Sequence, residues 1–407
     1  MKESNYAWPV TAVSKNVYDC FSNAIKLNMG KIKNKKVVIF GAGIRGTLFS
    51  IMMHSHGIEN FIFTDNNEEK WGGYINTYPI VSIEKALENK EDILIFITVE
   101  NGVDIKKQLI MLGFIEDENF LLLDTNLYDI YMKQFNRKEI IDILVMGDCG
   151  LTHISLLDSQ KSNLGKMLED KLSDFTSKVL AMHGMGMRAF YNILCAQIYM
   201  DIKPKYLILP VNFDTFTGKH HCLPRTQHAE LIKRIAEASK FNSEEMDDYV
   251  KLTEERSKSF HIEFSSKTST KDNQSDLLNA LYMKMNYMYK LKSDNEGVRY
   301  LMKILDLVKE QNILPILFIP PVNYMRGEQY FGQKFYEAYG ANCTSLKNML
   351  QQKNVDIMDL SYILTDSEFS DISTVDETAN YFGRIQICNE ITNYFNDIVK
   401  INKEKVQ

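Results

Sequence analysis

The run Lys36-Val-Val-Ile-Phe40 passes without a spacer into Gly41-Ala-Gly43-Ile-Arg-Gly46, and helical spacing follows. An apolar, β-branched run this short reads as a buried strand rather than a helix. Small residues at its end permit a tight turn, close approach of the backbone to a phosphate, and a helix N-terminus that faces the phosphate with partial positive charge. Asp65 stands 22 residues after Gly43, at the end of the next apolar run, Asn60–Thr64. A carboxylate there can bind a ribose hydroxyl. Gly41, Gly43, Gly46 and Asp65 are therefore the candidate nucleotide-binding residues. Strand-like runs recur at Ile93–Val99 and Phe120–Leu123. Strands alternating with helical spacing imply a parallel sheet with crossover helices. A leader over residues 1–33, with a helix expected around Val13–Leu27, precedes this first domain at 34–138.

A second α/β domain is expected over 139–407. Ile141–Met146 runs straight into Gly147-Asp-Cys-Gly150, and Tyr206–Val211, Ile313–Ile319 and Val355–Asp359 are further buried-type strands. Polar turn residues follow each, where open α/β sheets place their chemistry. A helical insertion at about 225–311 carries a Ser/Thr/Lys-rich break at Ser265–Ser275, which reads as a mobile loop. Within the insertion, Leu278, Leu281, Met285, Met288 and Leu291 recur at helical spacing and predict one apolar face turned to the core.

Composition narrows the function classes. With 47 Lys and Arg against 53 Asp and Glu, the net charge is −6 and no basic block is present. That excludes the electrostatic footprint of a nucleic-acid or anionic-membrane binder. The apolar stretches Ile93–Val99 and Ile316–Val322 are far shorter than the roughly 18–20 residues that span a bilayer. The N-terminal residues lack an export-signal pattern. Six scattered cysteines without a CxxC pair argue against a disulfide framework or a zinc knuckle and fit reduced thiols, so the cytoplasm is the expected location. His220-His221-Cys222 reads as a solvated loop, and no metal site is expected.

Val37–Gly46, Thr64-Asp-Asn-Asn, Trp71-Gly-Gly, Ile75-Asn and Pro79-Ile-Val together resemble a small Rossmann-like domain of bacterial sugar-modifying enzymes. The resemblance covers about residues 34–124 and implies nucleotide-sugar binding. It brings no hydride-transfer partner domain, so a dehydrogenase is not implied. The alternative is a Rossmann-like module without a ligand, serving as an interaction platform.

Gly147-Asp148-Cys149-Gly150 stands where an SGNH/GDSL-type hydrolase carries Gly-Asp-Ser. Met182-His-Gly-Met-Gly-Met187 resembles that family's second block, Pro210-Val-Asn212-Phe-Asp214 its third, and Asp376-Glu-Thr-Ala-Asn380-Tyr-Phe-Gly383 its last. Phe318–Tyr324, Tyr330–Gly332 and Asp359–Ser361 are similar to the branch with surface-glycan acyltransferases and teichoic acid D-alanyl transfer proteins. The resemblance implies an α/β/α three-layer domain. It places the nucleophile at Cys149 and an oxyanion site at the Gly150 amide, the Gly184–Gly186 turn and Asn212.

Two departures stand out. The nucleophile is Cys rather than Ser, and no His occurs after His261, so Ala379 or Thr378 occupies the place of the catalytic imidazole. The ordinary Ser-His-Asp mechanism is thereby excluded. A thiol needs less help than a hydroxyl. Asp376 and Glu377 are the candidate proton acceptors, while His153 and His183 stand near the turns in sequence.

Three readings of the turn stay open. Cys149 is the nucleophile, or a small structural residue, or Asp148, Asn212 and Glu377 bind a polar ligand for another reaction. Arg326 and Arg384 read as salt-bridge residues sooner than as substrate anchors. At the level of the chain, the expectations are two. One is acyl transfer or ester/thioester hydrolysis on a surface-glycan or nucleotide-sugar building block, with a nucleotide-sugar or acyl-CoA as substrate. The other is an inactive SGNH-like scaffold that binds a nucleotide or glycan and pairs with a glycosyltransferase or with itself.

Overall fold

The computed structural model describes residues 12–217, 228–252, 275–370 and 378–406. The chain packs as two compact units, one ending at Leu127 and one beginning at Tyr128. Each is built around a largely parallel sheet.

In the first unit, helix α1 (Lys15–Asn34) precedes β1 (Lys36–Phe40). It is longer than the helix expected at Val13–Leu27, because Val17, Phe21, Ala24, Ile25 and Ile32 continue one buried stripe. The other strands of this sheet are β2 (Phe61–Thr64), β3 (Tyr74–Ile75), β4 (Tyr78–Val81), β5 (Ile93–Ile97) and β6 (Phe120–Leu122). They lie in the order β3-β4-β2-β1-β5-β6, and all pairs except the β3–β4 hairpin are parallel. Every residue of β5 is buried, as expected for a central parallel strand covered on both faces. Helices α2 (Ile44–Ser55) and α3 (Val103–Met111) follow β1 and β5. The strand order turns back between β1 and β5, which opens a crevice at their carboxyl ends.

The second unit begins with helix α4 (Leu127–Phe135), whose first residue lies at the division. Its strands are β7 (Ile143–Gly147), β8 (Ser177–Ala181), β9 (Tyr206–Pro210), β10 (Leu314–Ile319) and β11 (Ile357–Asp359), ordered β8-β7-β9-β10-β11 and all parallel. Helices α5 (Cys149–Thr152) and α6 (Leu164–Lys171) lie between β7 and β8, and α7 (Met187–Tyr199) links β8 to β9. The segment before β10 holds α8 (Ala229–Ser239), helical residues 244–252, α9 (Ser275–Tyr287) and α10 (Glu296–Glu310). Helices α11 (Tyr324–Phe331) and α12 (Gln333–Gln351) follow β10, and α13 (Tyr381–Val406) ends the unit.

Two sequence expectations change. Strand β8 escaped notice because its edge position buries alternate residues, and one of those is Lys178. The ammonium donates to the carbonyls of Arg137 (2.7 Å) and Phe135 (3.5 Å) and to Gln197 Oε1 (3.2 Å). It thereby satisfies carbonyls at the C-terminal end of α4, and burial lowers its pKa to about 8. Of the expected stripe, Leu281 and Met285 on α9 are exposed, Met288 is half-buried and Leu291, past the helix, is buried as expected; among the described side chains of α9 the buried ones are Asn279, Met283, Asn286 and Tyr287. Two stripes of equal helical spacing run along this helix, and docking against the 213–216 turn and against α11 and α12 selects the one the apolar pattern did not mark. The expected break at 265–274 lies outside the described residues.

Arg384 is almost wholly buried near the start of α13. It pairs with Asp158 Oδ2 at 2.7 Å and donates to the carbonyls of Ser162 (3.0 Å) and Ala379 (2.6 Å). Asp158 also accepts the amides of Ser155 and Tyr381, both at 2.8 Å. The pair thus joins the loop after α5 to the α13 N-terminus, and Arg326 likewise pairs with Asp366 at 3.1 Å. Removing one partner of a buried pair strands the other charge. Asp158→Asn is expected to lower the unfolding free energy by about 3 kcal/mol, read from urea denaturation; a midpoint unchanged from the parent would refute the assignment.

Candidate functional site

Two carboxyl-end crevices carry the residues singled out in the sequence. In the first unit, Gly41 adopts φ +117°, and a Cβ there would clash with Val99 and Thr98. A Cβ on Gly46 would overlap the Gly41 carbonyl oxygen. Gly43 has nothing within 4 Å of a notional Cβ, so the turn is open to a ligand at that residue. Asp65 is placed at the turn, but its carboxylate is already engaged. Oδ2 accepts the Ala42 amide and Lys70 Nζ, each at 2.8 Å, and Oδ1 accepts the Asn67 amide at 3.0 Å. Asp65 therefore braces the glycine turn from the neighbouring strand. Arg45 turns beneath the loop and donates to the Thr98 and Leu123 carbonyls at 2.7 and 3.0 Å.

In the second unit, β7 is flanked by β8 and β9, so the reversal of strand order falls where Gly147–Gly150 and Pro210–Asp214 emerge. Such a reversal is where open sheets bind ligands. Gly147 is required here, because a Cβ would run into Leu151 and Pro210. Asp148 is the N-cap of α5, accepting the Gly150 amide on Oδ1 at 3.0 Å, and Cys149 is half-buried beside it. Asn212 Nδ2 reaches Asp148 Oδ2 at 3.4 Å, while Asn212 Oδ1 accepts the Asp214 amide at 3.1 Å. The second block joins the same place: the Met182 amide donates to the Gly147 carbonyl at 3.2 Å, and Gly184 turns the chain with φ +70°. A notional Cβ on Gly186 lies 4.0 Å from the Thr215 carbonyl oxygen, so the second and third blocks adjoin.

Cys149, Gly184, Gly186 and Asn212 thus share one end of the sheet. Asp376 and Glu377 lie outside the described residues, as do His220, His221 and Cys222. Two features had no sequence signal. The carboxylate of Asp148 takes up the Gly150 amide that the oxyanion assignment would use. Ala379, one of the two residues that the resemblance sets in the place of the imidazole, lines a cavity of about 20 Å³ together with Asp148, Gly150, Pro210, Phe318 and Pro320. That volume holds about one water and no side chain.

A histidine group lies in the same unit. His228 Nε2 bonds the His183 carbonyl at 2.7 Å, and its Nδ1 lies 3.3 Å from the Tyr128 hydroxyl. The His183 and His228 rings meet edge to face at 5.4 Å. His153 Nδ1 is buried with no hydrogen-bond partner among the described residues. Burial, with His183 nearby, lowers the pKa of both His153 and His228 to about 3. Among the described residues no group of His, Cys, Asp and Glu is arranged to hold a metal ion, and no helix is long and apolar enough to cross a membrane.

Residues 33–120 match the family model described as C2185-like, N-terminal, which covers the glycine turn and most of the first unit's sheet. No curated protein matches the chain.

Two predictions follow from this geometry. Gly46→Ala is expected to destabilise the first unit by more than about 2 kcal/mol, whereas Gly43→Ala stays within about 1 kcal/mol of the parent. Thermal denaturation of the two variants checks the order, and equal loss in both would contradict it. The unfolded chain protonates His153 and His228 near pH 6.5 and the folded chain near 3. Their contribution is therefore intact above about pH 6.5 and is lost progressively as the pH falls toward 3. His228→Asn, which suits the left-handed backbone at this position (φ +49°), should flatten that acid slope in pH-dependent denaturation.

Proposed function

We propose that the chain transfers or hydrolyses an acyl group on a surface-glycan or nucleotide-sugar building block, with Cys149 as the nucleophile. The observation that carries this reading is the meeting of Cys149, the Gly184–Gly186 turn and Asn212 at the strand-order reversal of the second sheet. The thiolate attacks the acyl carbonyl, the leaving group departs, and a glycan hydroxyl or water then takes the acyl group from sulfur. The thiol proton passes to Asp376 or Glu377. Asn212 and the Gly184–Gly186 turn face the developing oxyanion. The Gly150 amide joins them only if the Asp148 carboxylate lets it go. The first unit, with a glycine turn open at Gly43, is the proposed nucleotide-sugar-binding unit. The proposed setting is the cytoplasm.

A second reading has its own support. Ala379 in the cavity wall and Asp148 on the Gly150 amide favour an inactive SGNH-like scaffold that binds a nucleotide or glycan beside a glycosyltransferase or a second copy.

Acylation by an acetyl thioester, mapped by peptide mass, separates the two. Burial pushes the Cys195, Cys343 and Cys388 thiols up to about 11, so they are poor competitors. Acyl transfer predicts that Cys149 is labelled first and turns over, and that Asn212→Ala slows its acylation by about a hundredfold. A Cys149 that labels no faster in the parent than in Asn212→Ala, without turnover, assigns the scaffold role.

A further inference from the structure

The loop that follows β10 contributes Pro320 and Pro321 to the cavity beside Asp148 and leads into Tyr324, the first residue of α11. Tyr324 meets Tyr362, from the loop after β11, with ring centroids 5.5 Å apart. Tyr336 of α12 completes the group, 6.4 Å from Tyr324 and 6.0 Å from Tyr362. Tyr324 and Tyr336 are half-buried and Tyr362 is 43% exposed, so the three rings, inclined to one another by 42° to 80°, form a stepped, part-exposed shelf at the carboxyl ends of β10 and β11.

The shelf is held from below. Buried Tyr339 packs against Tyr362 at 5.9 Å and stacks on Phe335 at 5.5 Å. Its hydroxyl lies 3.0 Å from Ser361 Oγ, which bonds Asp359, and Lys347 pairs with Asp359 at 2.6 Å. Polar groups border it. Asp366 receives Arg326 and Asn323, Arg326 also reaches Gln329 at 2.9 Å, and Tyr336 donates to Glu328 at 3.0 Å. Each of these border groups except buried Asn323 is partly or fully exposed.

We propose that this shelf is the saccharide subsite of the chain. The inference rests on the acyl-transfer reading for its substrate class and names where the sugar sits. A pyranose ring offers an apolar C–H face and a rim of hydroxyls. The electron-rich faces and polar tips of tyrosines suit the first, and carboxylates, an amide and a guanidinium suit the second. Pro320 and Pro321 line the cavity beside Asp148 and Tyr324 follows on the same stretch of chain, so the proposed subsite and Cys149 both stand at the carboxyl end of the second sheet.

Saturation-transfer NMR on the full chain, with UDP-N-acetylglucosamine, chitotetraose and maltotetraose as probes, tests the proposal. At least one saccharide should receive saturation from the aromatic protons. Its affinity should fall by about fivefold or more in Tyr324→Ala and Tyr362→Ala, while Tyr362→Phe, which keeps the ring, retains most of it. Circular dichroism confirms that each variant is folded. Acetyl-thioester labelling of Cys149, which needs no sugar, is followed in the parent alongside saccharide binding. Failure of labelling with intact saccharide binding would end the acyl-transfer reading and leave the shelf standing. Absence of saturation for every probe, or equal binding in all variants, overturns the shelf. So does self-association that is lost in Tyr362→Ala without any saccharide signal, which would assign the surface to a second copy.

Discussion

The carboxylate of Asp148 holds the candidate site of the second unit together. It stands where β7 ends, caps a helix of four residues through the Gly150 amide, and meets the side-chain amide of Asn212 from the next strand over. Parallel strands are joined only by long crossovers, so nothing local fixes the relative height of two neighbouring loops. A buried carboxylate that bonds both loops supplies that fix, and leaving its oxygens unsatisfied would be costly. Cys149 inherits its position from this arrangement. The same carboxylate takes up the Gly150 amide, one of the donors that the proposed oxyanion site would use.

Asp65 does the same work in the first unit. Its oxygens accept the Ala42 and Asn67 amides and the Lys70 ammonium, so strand β2 braces the turn that follows β1. In both units an acid near a glycine-rich turn organises the backbone. Residue type and spacing alone do not separate that role from ligand binding, since both need a carboxylate at the end of a strand.

The legibility of the sequence follows the same division. Buried parallel strands such as Lys36–Phe40 and Tyr206–Pro210 were readable because they are continuous apolar runs bounded by turn residues. Strand β8 was not, since an edge strand with a buried lysine carries no such run, and the hairpin Tyr74–Val81 is too short to show a period. The buried face of α9 was hidden because two stripes share one spacing. At the site, Cys149 and Asn212 were legible from their places after strands, whereas Gly184 and Gly186 follow the unread β8 and entered only through the resemblance of Met182–Met187 to a family block. The capture of the Gly150 amide by Asp148 and the grouping of His153, His183 and His228 depend on side-chain directions and long-range packing, which spacing does not encode.

Strands β9 and β10 pair in full register although Pro210 and Leu314 are separated by the whole helical insertion. Closing a longer loop adds entropy only logarithmically. Growing such a connection from about 25 to about 100 residues costs on the order of 1 kcal/mol. The native state therefore tolerates the insertion easily, but the search for it does not. A central pair that must wait for distant segments to meet makes slow, topology-limited assembly the character of this unit.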